Sequence, residues 1–176
     1  FGEYLPFGEQ FPFLYKLLHF VGVLAKGSGP QVAELQFKEK KLKLGPQICY
    51  DSLYPGYSRD LAKNGSQIIF NVTNDAWFGW WAEPYQHQYM TLARAVEVRR
   101  PLVRSTNTGF SSTILADGDV LEISPMNKSW AHTFDVPYKK NPNQTIYTQF
   151  GYFDWVIWFM LLMFLLASYR SKGENV

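Results

Sequence analysis

Only one of the 176 residues is cysteine, which excludes an internal disulfide and a cysteine-based metal centre. Histidine is nearly as scarce, at three. Net charge is small: 17 basic residues against 15 acidic give a formal +2, so there is no electrostatic case for nucleic acid as a partner. The N terminus lacks the basic, apolar and small-residue succession of a secretion signal. The chain opens inside what reads as a loop, Phe1-Gly2-Glu3-Tyr4-Leu5-Pro6, as a segment of something longer would. Aromatic residues are abundant instead. Fourteen Phe, eleven Tyr and six Trp make up 18% of the chain, which suits contact with acyl chains or a membrane interface and equally an aromatic core.

The lone cysteine stands at a corner. Leu42, Leu44 and Ile48, with the Gly45-Pro46 break, predict a strand running into Cys49, and Ser58 to Lys63 before Asn64-Gly65 predicts a helix with a glycine stop. A thiol on such a corner is presented at a sheet edge beside backbone N–H groups able to stabilise an oxyanion, with Tyr50 supplying one of them. Unpaired cysteine is also among the most buried residue types, so a small core hydrophobe is the competing reading.

Around this corner the pattern is α/β. Leu14 to Leu24 predicts a short helix, Val32 to Phe37 a strand, and Lys38-Glu39-Lys40-Lys41 the turn of a hairpin. Gln67 to Val72 is a continuous apolar run of the kind found in strands buried on both faces. Tyr85, Tyr89, Leu92 and Val96 form one helical stripe, which makes them the expected buried face of the next helix. Pro101 to Ser105 predicts a strand, Ser112 to Ile123 a hairpin around Asp117-Gly118, and Ala131 to Val136 a last strand.

Near the C terminus, Trp155 to Ala167 carries no charge. Taken out to Gly151 and Tyr169, the stretch approaches the ~20 residues a membrane-spanning helix needs, with Trp155, Trp158 and Tyr169 as interfacial anchors. Arg170 and Lys172 follow directly and favour a cytoplasmic tail. The expected organisation is therefore a domain over 1–150, a transmembrane helix over 151–170 and a tail over 171–176.

Several strings together carry a family resemblance: Ile48-Cys49-Tyr50-Asp51, Asn71-Val72-Thr73-Asn74-Asp75-Ala76-Trp77-Phe78-Gly79, the helix end Ala95 to Pro101, and Arg104-Ser105-Thr106-Asn107-Thr108-Gly109. In these the chain resembles the nitrilase superfamily, and within it the bacterial apolipoprotein N-acyltransferases. The resemblance implies the C-terminal part of a nitrilase-like α-β-β-α sandwich followed by one transmembrane helix. It implies a Glu–Lys–Cys triad in which only the cysteine, Cys49, maps onto this sequence, the other two lying upstream. Glu3 matches an additional active-site glutamate, with Glu9 as its echo in Phe7-Gly8-Glu9. Tyr50 matches an aromatic neighbour of the nucleophile, Asp51 stands where the family usually has glutamate, and Asn74, Trp77 and Phe78 would lie on the loop beside the pocket, the aromatic pair against an acyl chain, with core packing as the other reading of Trp77.

The activity so implied is transfer of an acyl chain from a phospholipid, through a cysteine thioester, to the S-diacylglyceryl cysteine of an apolipoprotein. It would take place at the bacterial inner membrane with the catalytic domain on the periplasmic side, in a full-length monomer requiring no cofactor and no metal. Three other readings stay open. One is an amidase-like hydrolase using the same cysteine, and another a Cys–His hydrolase with His87 or His132 as base, although His87 reads first as a surface or supporting residue. The last is a catalytically incomplete, membrane-anchored fragment.

Overall fold

The computed structural model describes residues 5, 7–18, 27–151 and 154–173. Glu3 and the expected helical residues 19–24 lie outside them. Six strands form one mixed sheet in sequential order: β1 (Ala33–Phe37), β2 (Lys40–Ile48), β3 (Ile68–Thr73), β4 (Leu102–Thr106), β5 (Ser112–Ile114) and β6 (Val120–Ile123). The central strands β2, β3 and β4 are parallel, and the outer pairs are antiparallel hairpins. Two crossovers carry the helices α2 (Pro55–Lys63) and α3 (Glu83–Val98), as parallel neighbours require. Short helices α1 (Phe13–Leu17) and α4 (Ile146–Phe150) and the C-terminal α5 (Asp154–Gly173) complete the described elements.

Two rows of side chains cross the sheet beneath α2 and α3. In the first, Gly45, Ile69, Leu102 and Ile114 stand in register, and with Ala62, Ala95 and Val98 they form the apolar core. Each fully buried Leu, Ile or Val there contributes about 1.5–3 kcal/mol. Gly45 is needed at its place, because a Cβ would lie 3.0 Å from that of Ser66 and 3.2 Å from the Leu61 side chain. The second row is polar: Gln47, Asn71, Arg104 and Ser112 stand in register and are all buried. It lies at the C-terminal ends of the parallel strands, where sites form in open α/β sheets.

That polar row explains a correction. The helix expected from Tyr85, Tyr89, Leu92 and Val96 is present as α3, but Tyr85 and Tyr89 face outward. Its buried face is Pro84, His87, Gln88, Thr91, Arg94, Ala95 and Val98, mostly polar because it covers polar residues of the sheet. Gln88 donates to Ser112 Oγ at 2.7 Å, and Gln47 on β2 donates to Ser58 Oγ of α2 at 2.7 Å.

The opposite sheet face is open toward the C-terminal ends of the parallel strands. Pro46, Ile48, Val72 and Ser105 are exposed there, while Ile68 on the same face is buried, so among the described residues β3 is covered on both faces, as its apolar run suggests, only at its start. Ala131 to Val136 forms no strand. Its rings stack among themselves instead of alternating across a sheet, with Trp130 and His132 at 5.4 Å and His132 and Phe134 at 4.6 Å. The segment that follows is tied down by Arg100, whose buried guanidinium donates to the carbonyls of Ser66, Val98, Arg99, Pro142 and Asn143.

Among the described residues no helix is long and apolar enough to cross a membrane. Gly151, at φ +77°, separates α4 from the later chain, and α5 opens on Asp154. It is 20 residues long, and its uncharged part runs to Tyr169 before Arg170 and Lys172. The side chains from Ile157 to Leu166 are nonetheless all exposed.

Candidate active site

The Cys49 corner is as the sequence predicts: β2 ends at Ile48, a 3-10 turn runs over Cys49–Leu53, and α2 begins at Pro55. Cys49 is half-buried and holds φ at +49°, a left-handed conformation costing a non-glycine residue about 1–3 kcal/mol. Such strain persists only where the surroundings enforce it. Here the Ile48 N–H donates to Asp51 Oδ2 at 3.0 Å on one side of the corner. On the other, the Cys49 carbonyl accepts from Ser52 Oγ at 3.1 Å and Asn71 Nδ2 at 3.2 Å.

Asp51, expected beside the thiol as an acid, is buried and turned back to close the corner. Tyr50 lies against Phe78 (5.2 Å between ring centroids) and His87 (5.1 Å), and its hydroxyl donates to Glu83 Oε1 at 2.9 Å. Burial first, and then that bond to a carboxylate, push the Tyr50 hydroxyl above its ordinary range, so it stays a donor. Asn74 is exposed and caps the short turn Asp75–Phe78 by accepting from the Ala76 N–H at 3.1 Å. Trp77 projects into solvent at 79% exposure beside the equally open Trp80 and Trp81. Glu9 is exposed, and His132 pairs with Glu122 at 3.2 Å on the surface.

The sequence reading missed what lies behind the corner. His87, expected as a surface or supporting residue, is fully buried, which leaves the second of these, with Nδ1 at 3.1 Å from Asp75 Oδ1 and Nε2 at 3.2 Å from Ser52 Oγ. Arg104, also buried, donates to Asp75 Oδ2 (2.9 Å), Asn71 Oδ1 (2.6 Å), Thr91 Oγ1 (3.3 Å) and the Phe110 carbonyl (3.2 Å). Burial alone would raise the Asp75 carboxyl, but the His87 bond, the Arg104 charge and the Thr73 hydroxyl outweigh it and hold Asp75 below the usual carboxylate range. Gly109 makes room for this pair, since a Cβ there would strike the Asp75 carboxylate. The available signal was spacing: His87, Gln88, Thr91, Ala95 and Val98 share one helical face.

Asp75, Glu83 and His87 each bring one potential ligand atom within 4.8 Å of the others. Arg104 occupies one Asp75 oxygen and His87 Nδ1 the other, so the cluster is a hydrogen-bonded support with a resident cation, unlike a cation site.

Residues 4–136 match the family model described as carbon-nitrogen hydrolase. The chain is 53% identical over 173 residues to the apolipoprotein N-acyltransferase of Bdellovibrio bacteriovorus, with 98% of this chain and 31% of that protein covered. It is 36% identical over 174 residues to the apolipoprotein N-acyltransferase of Geobacter metallireducens, with 98% and 32% covered. It therefore spans about a third of the length of these curated relatives. Among solved structures, an amidase from Nesterenkonia sp. superposes with a TM-score of 0.50 at 21% identity, over 61% of this chain and 41% of that one, a likeness of fold.

Proposed function

Because the chain belongs to the carbon-nitrogen hydrolase family, we propose that Cys49 is the nucleophile of an acyl transfer and that the chain is the C-terminal third of an apolipoprotein N-acyltransferase. The observation that carries this reading is the strained corner at Cys49, which holds a free thiol out of the regular backbone at the end of a central strand. The thiolate attacks a phospholipid ester carbonyl, the C–O bond breaks, and the lysophospholipid leaves as its alkoxide takes up a proton. The α-amine of an S-diacylglyceryl cysteine then attacks the thioester, the C–S bond breaks, and amide and thiol are left. The catalytic glutamate and lysine come from the part of the relatives that this chain does not span, and Glu3 adds an acid at the pocket. The upstream half also supplies the second sheet, against the open apolar face at Ile48 and Val72.

The lipid side rests on two features. Trp77, Trp80 and Trp81 project from the loop before α3, beside the corner, where their rings suit the headgroup level of a bilayer. α5 is apolar on every described face from Ile157 to Leu166, and such a helix is stable only when covered. Lipid is the covering we assign, with the domain over 1–150 on the periplasmic side of the inner membrane and residues 171–176 in the cytoplasm.

The test is intact-mass spectrometry of the full-length protein in detergent with phosphatidylethanolamine. A hydroxylamine-labile acyl adduct is expected on the wild type and absent from Cys49→Ala. A folded wild type that gains no adduct overturns the proposal.

A further inference from the structure

A closed ring of hydrogen bonds runs under the Cys49 corner. The Cys49 carbonyl accepts from Asn71 Nδ2 at 3.2 Å, and Asn71 Oδ1 accepts from Arg104 Nη1 at 2.6 Å. Arg104 Nη2 donates to Asp75 Oδ2 at 2.9 Å, and Asp75 Oδ1 faces His87 Nδ1 at 3.1 Å. His87 Nε2 faces Ser52 Oγ at 3.2 Å, and Ser52 Oγ returns to the Cys49 carbonyl at 3.1 Å.

Counting protons shows what the ring requires. A carbonyl only accepts, so the Ser52 to Cys49 bond uses the single Ser52 proton. Ser52 Oγ must then accept from His87 Nε2, while Nδ1 must donate to the ionised Asp75. Both His87 ring nitrogens carry protons in that arrangement. Thr91 offers no substitute: its hydroxyl proton goes to the His87 carbonyl at 2.7 Å, which leaves Thr91 Oγ1 an acceptor toward Ser52 at 3.1 Å. If His87 is neutral and protonated on Nδ1, Nε2 takes the Ser52 proton and the Cys49 carbonyl keeps Asn71 alone.

We propose that His87 is a positioning residue for the nucleophile: by donating to Ser52 Oγ it leaves the Ser52 proton to clamp the strained Cys49 carbonyl. The inference rests on Cys49 being the nucleophile. The groups facing His87 are Asp75 from the turn after β3, Arg104 from β4 through Asp75, Glu83 one turn back on α3 at 3.6 Å, and the Tyr50 ring from the corner. Nothing in this arrangement lets His87 reach the substrate, since its side chain is fully buried.

The experiment measures the rate of Cys49 alkylation by iodoacetamide at one fixed pH, by intact mass, in the full-length protein. Ser52→Ala should react about fivefold more slowly than the wild type, as the loss of one net hydrogen bond implies. His87→Leu should fall with Ser52→Ala, while His87→Gln, which keeps a donor toward Ser52, should recover the wild-type rate, a rescue that cavity filling cannot imitate. A Ser52→Ala rate equal to that of the wild type, or a His87→Gln rate no better than that of His87→Leu, overturns the proposal. Should His87→Gln lose its cooperative thermal transition, Ser52→Ala decides alone. A folded wild type whose Cys49 neither alkylates nor acylates overturns the nucleophile reading together with this one, whereas acylation with an unchanged Ser52→Ala alkylation rate overturns this one only.

Discussion

Replacing Arg104 with methionine tests whether the buried polar row is a matched set or loose filling. Arg104 and Asp75 both have side chains with no solvent exposure. Methionine fills much of the same volume but removes the donor from four acceptors, Asp75 Oδ2, Asn71 Oδ1, Thr91 Oγ1 and the Phe110 carbonyl. Each unsatisfied buried acceptor costs about 1–3 kcal/mol, the charged one most, while the apolar replacement offsets part of the sum. The expected loss is about 3–5 kcal/mol, the range for breaking one side of a buried ion pair. Against a total of roughly 5–15 kcal/mol this leaves a folded but much weakened domain. Denaturant unfolding of the full-length protein followed by tryptophan fluorescence measures it. Adding Asp75→Asn to Arg104→Met removes the stranded charge, so the double variant should recover at least about 1.5 kcal/mol relative to additivity. A single-variant loss under about 1 kcal/mol, or strict additivity in the cycle, would refute the matched-set reasoning.

Gly109→Ala drives a methyl into the Asp75 carboxylate and should cost about 1–3 kcal/mol by overpacking, more than Gly27→Ala, where a Cβ meets nothing within 4 Å; comparing the two unfolding midpoints checks it. Asp75 is held below its unfolded value, so the unfolded state binds the extra proton. Its contribution is full above about pH 3.9, is lost as pH falls through the lower folded value, and should vanish from the stability–pH curve of Asp75→Asn. At the corner itself, Cys49→Gly should unfold later than Cys49→Ala by about 0.5–1 kcal/mol, because only glycine takes φ +49° freely; equal midpoints would mean that the corner relaxes. Trp77→Ser with Trp80→Ser should slow acylation from phosphatidylethanolamine in vesicles while leaving iodoacetamide alkylation of Cys49 unchanged; parallel losses would assign the pair to packing.

What was legible in the sequence follows from how local each signal is. The Cys49 corner was, because a strand-period run, a Gly-Pro break and a helix with a glycine stop all lie within 16 residues of it, and so was the hairpin at Asp117-Gly118. The existence of α3 was legible and its buried face was not. Apolar periodicity pointed to Tyr85 and Tyr89, whereas the sheet presents Asn71 and Arg104 to that helix, so burial falls to His87, Gln88 and Thr91. Buried polar residues leave no hydrophobic signature; they are tolerated because partners from other strands satisfy them, and those partners are set by sheet register. Asn71 and Arg104 are 33 positions apart and meet only because β3 pairs with β4 in parallel.

Asp51 shows the same limit at short range. The sequence places Asp51 beside Cys49 where the family usually has glutamate but not its direction, and a 3-10 turn, which rotates side chains by a third of a turn per residue, returns this carboxylate to the Ile48 N–H. The acids nearest the corner therefore divide by backbone geometry. Asp51 fixes the entry to the strained residue, and Asp75, through His87 and Ser52, acts on its exit at the Cys49 carbonyl. A φ of +49° clamped from both sides leaves the thiol direction little freedom, so substitutions in the clamp should change Cys49 reactivity before they change the fold. Ser52, which loses a single oxygen on replacement by alanine, is where those two effects separate most cleanly.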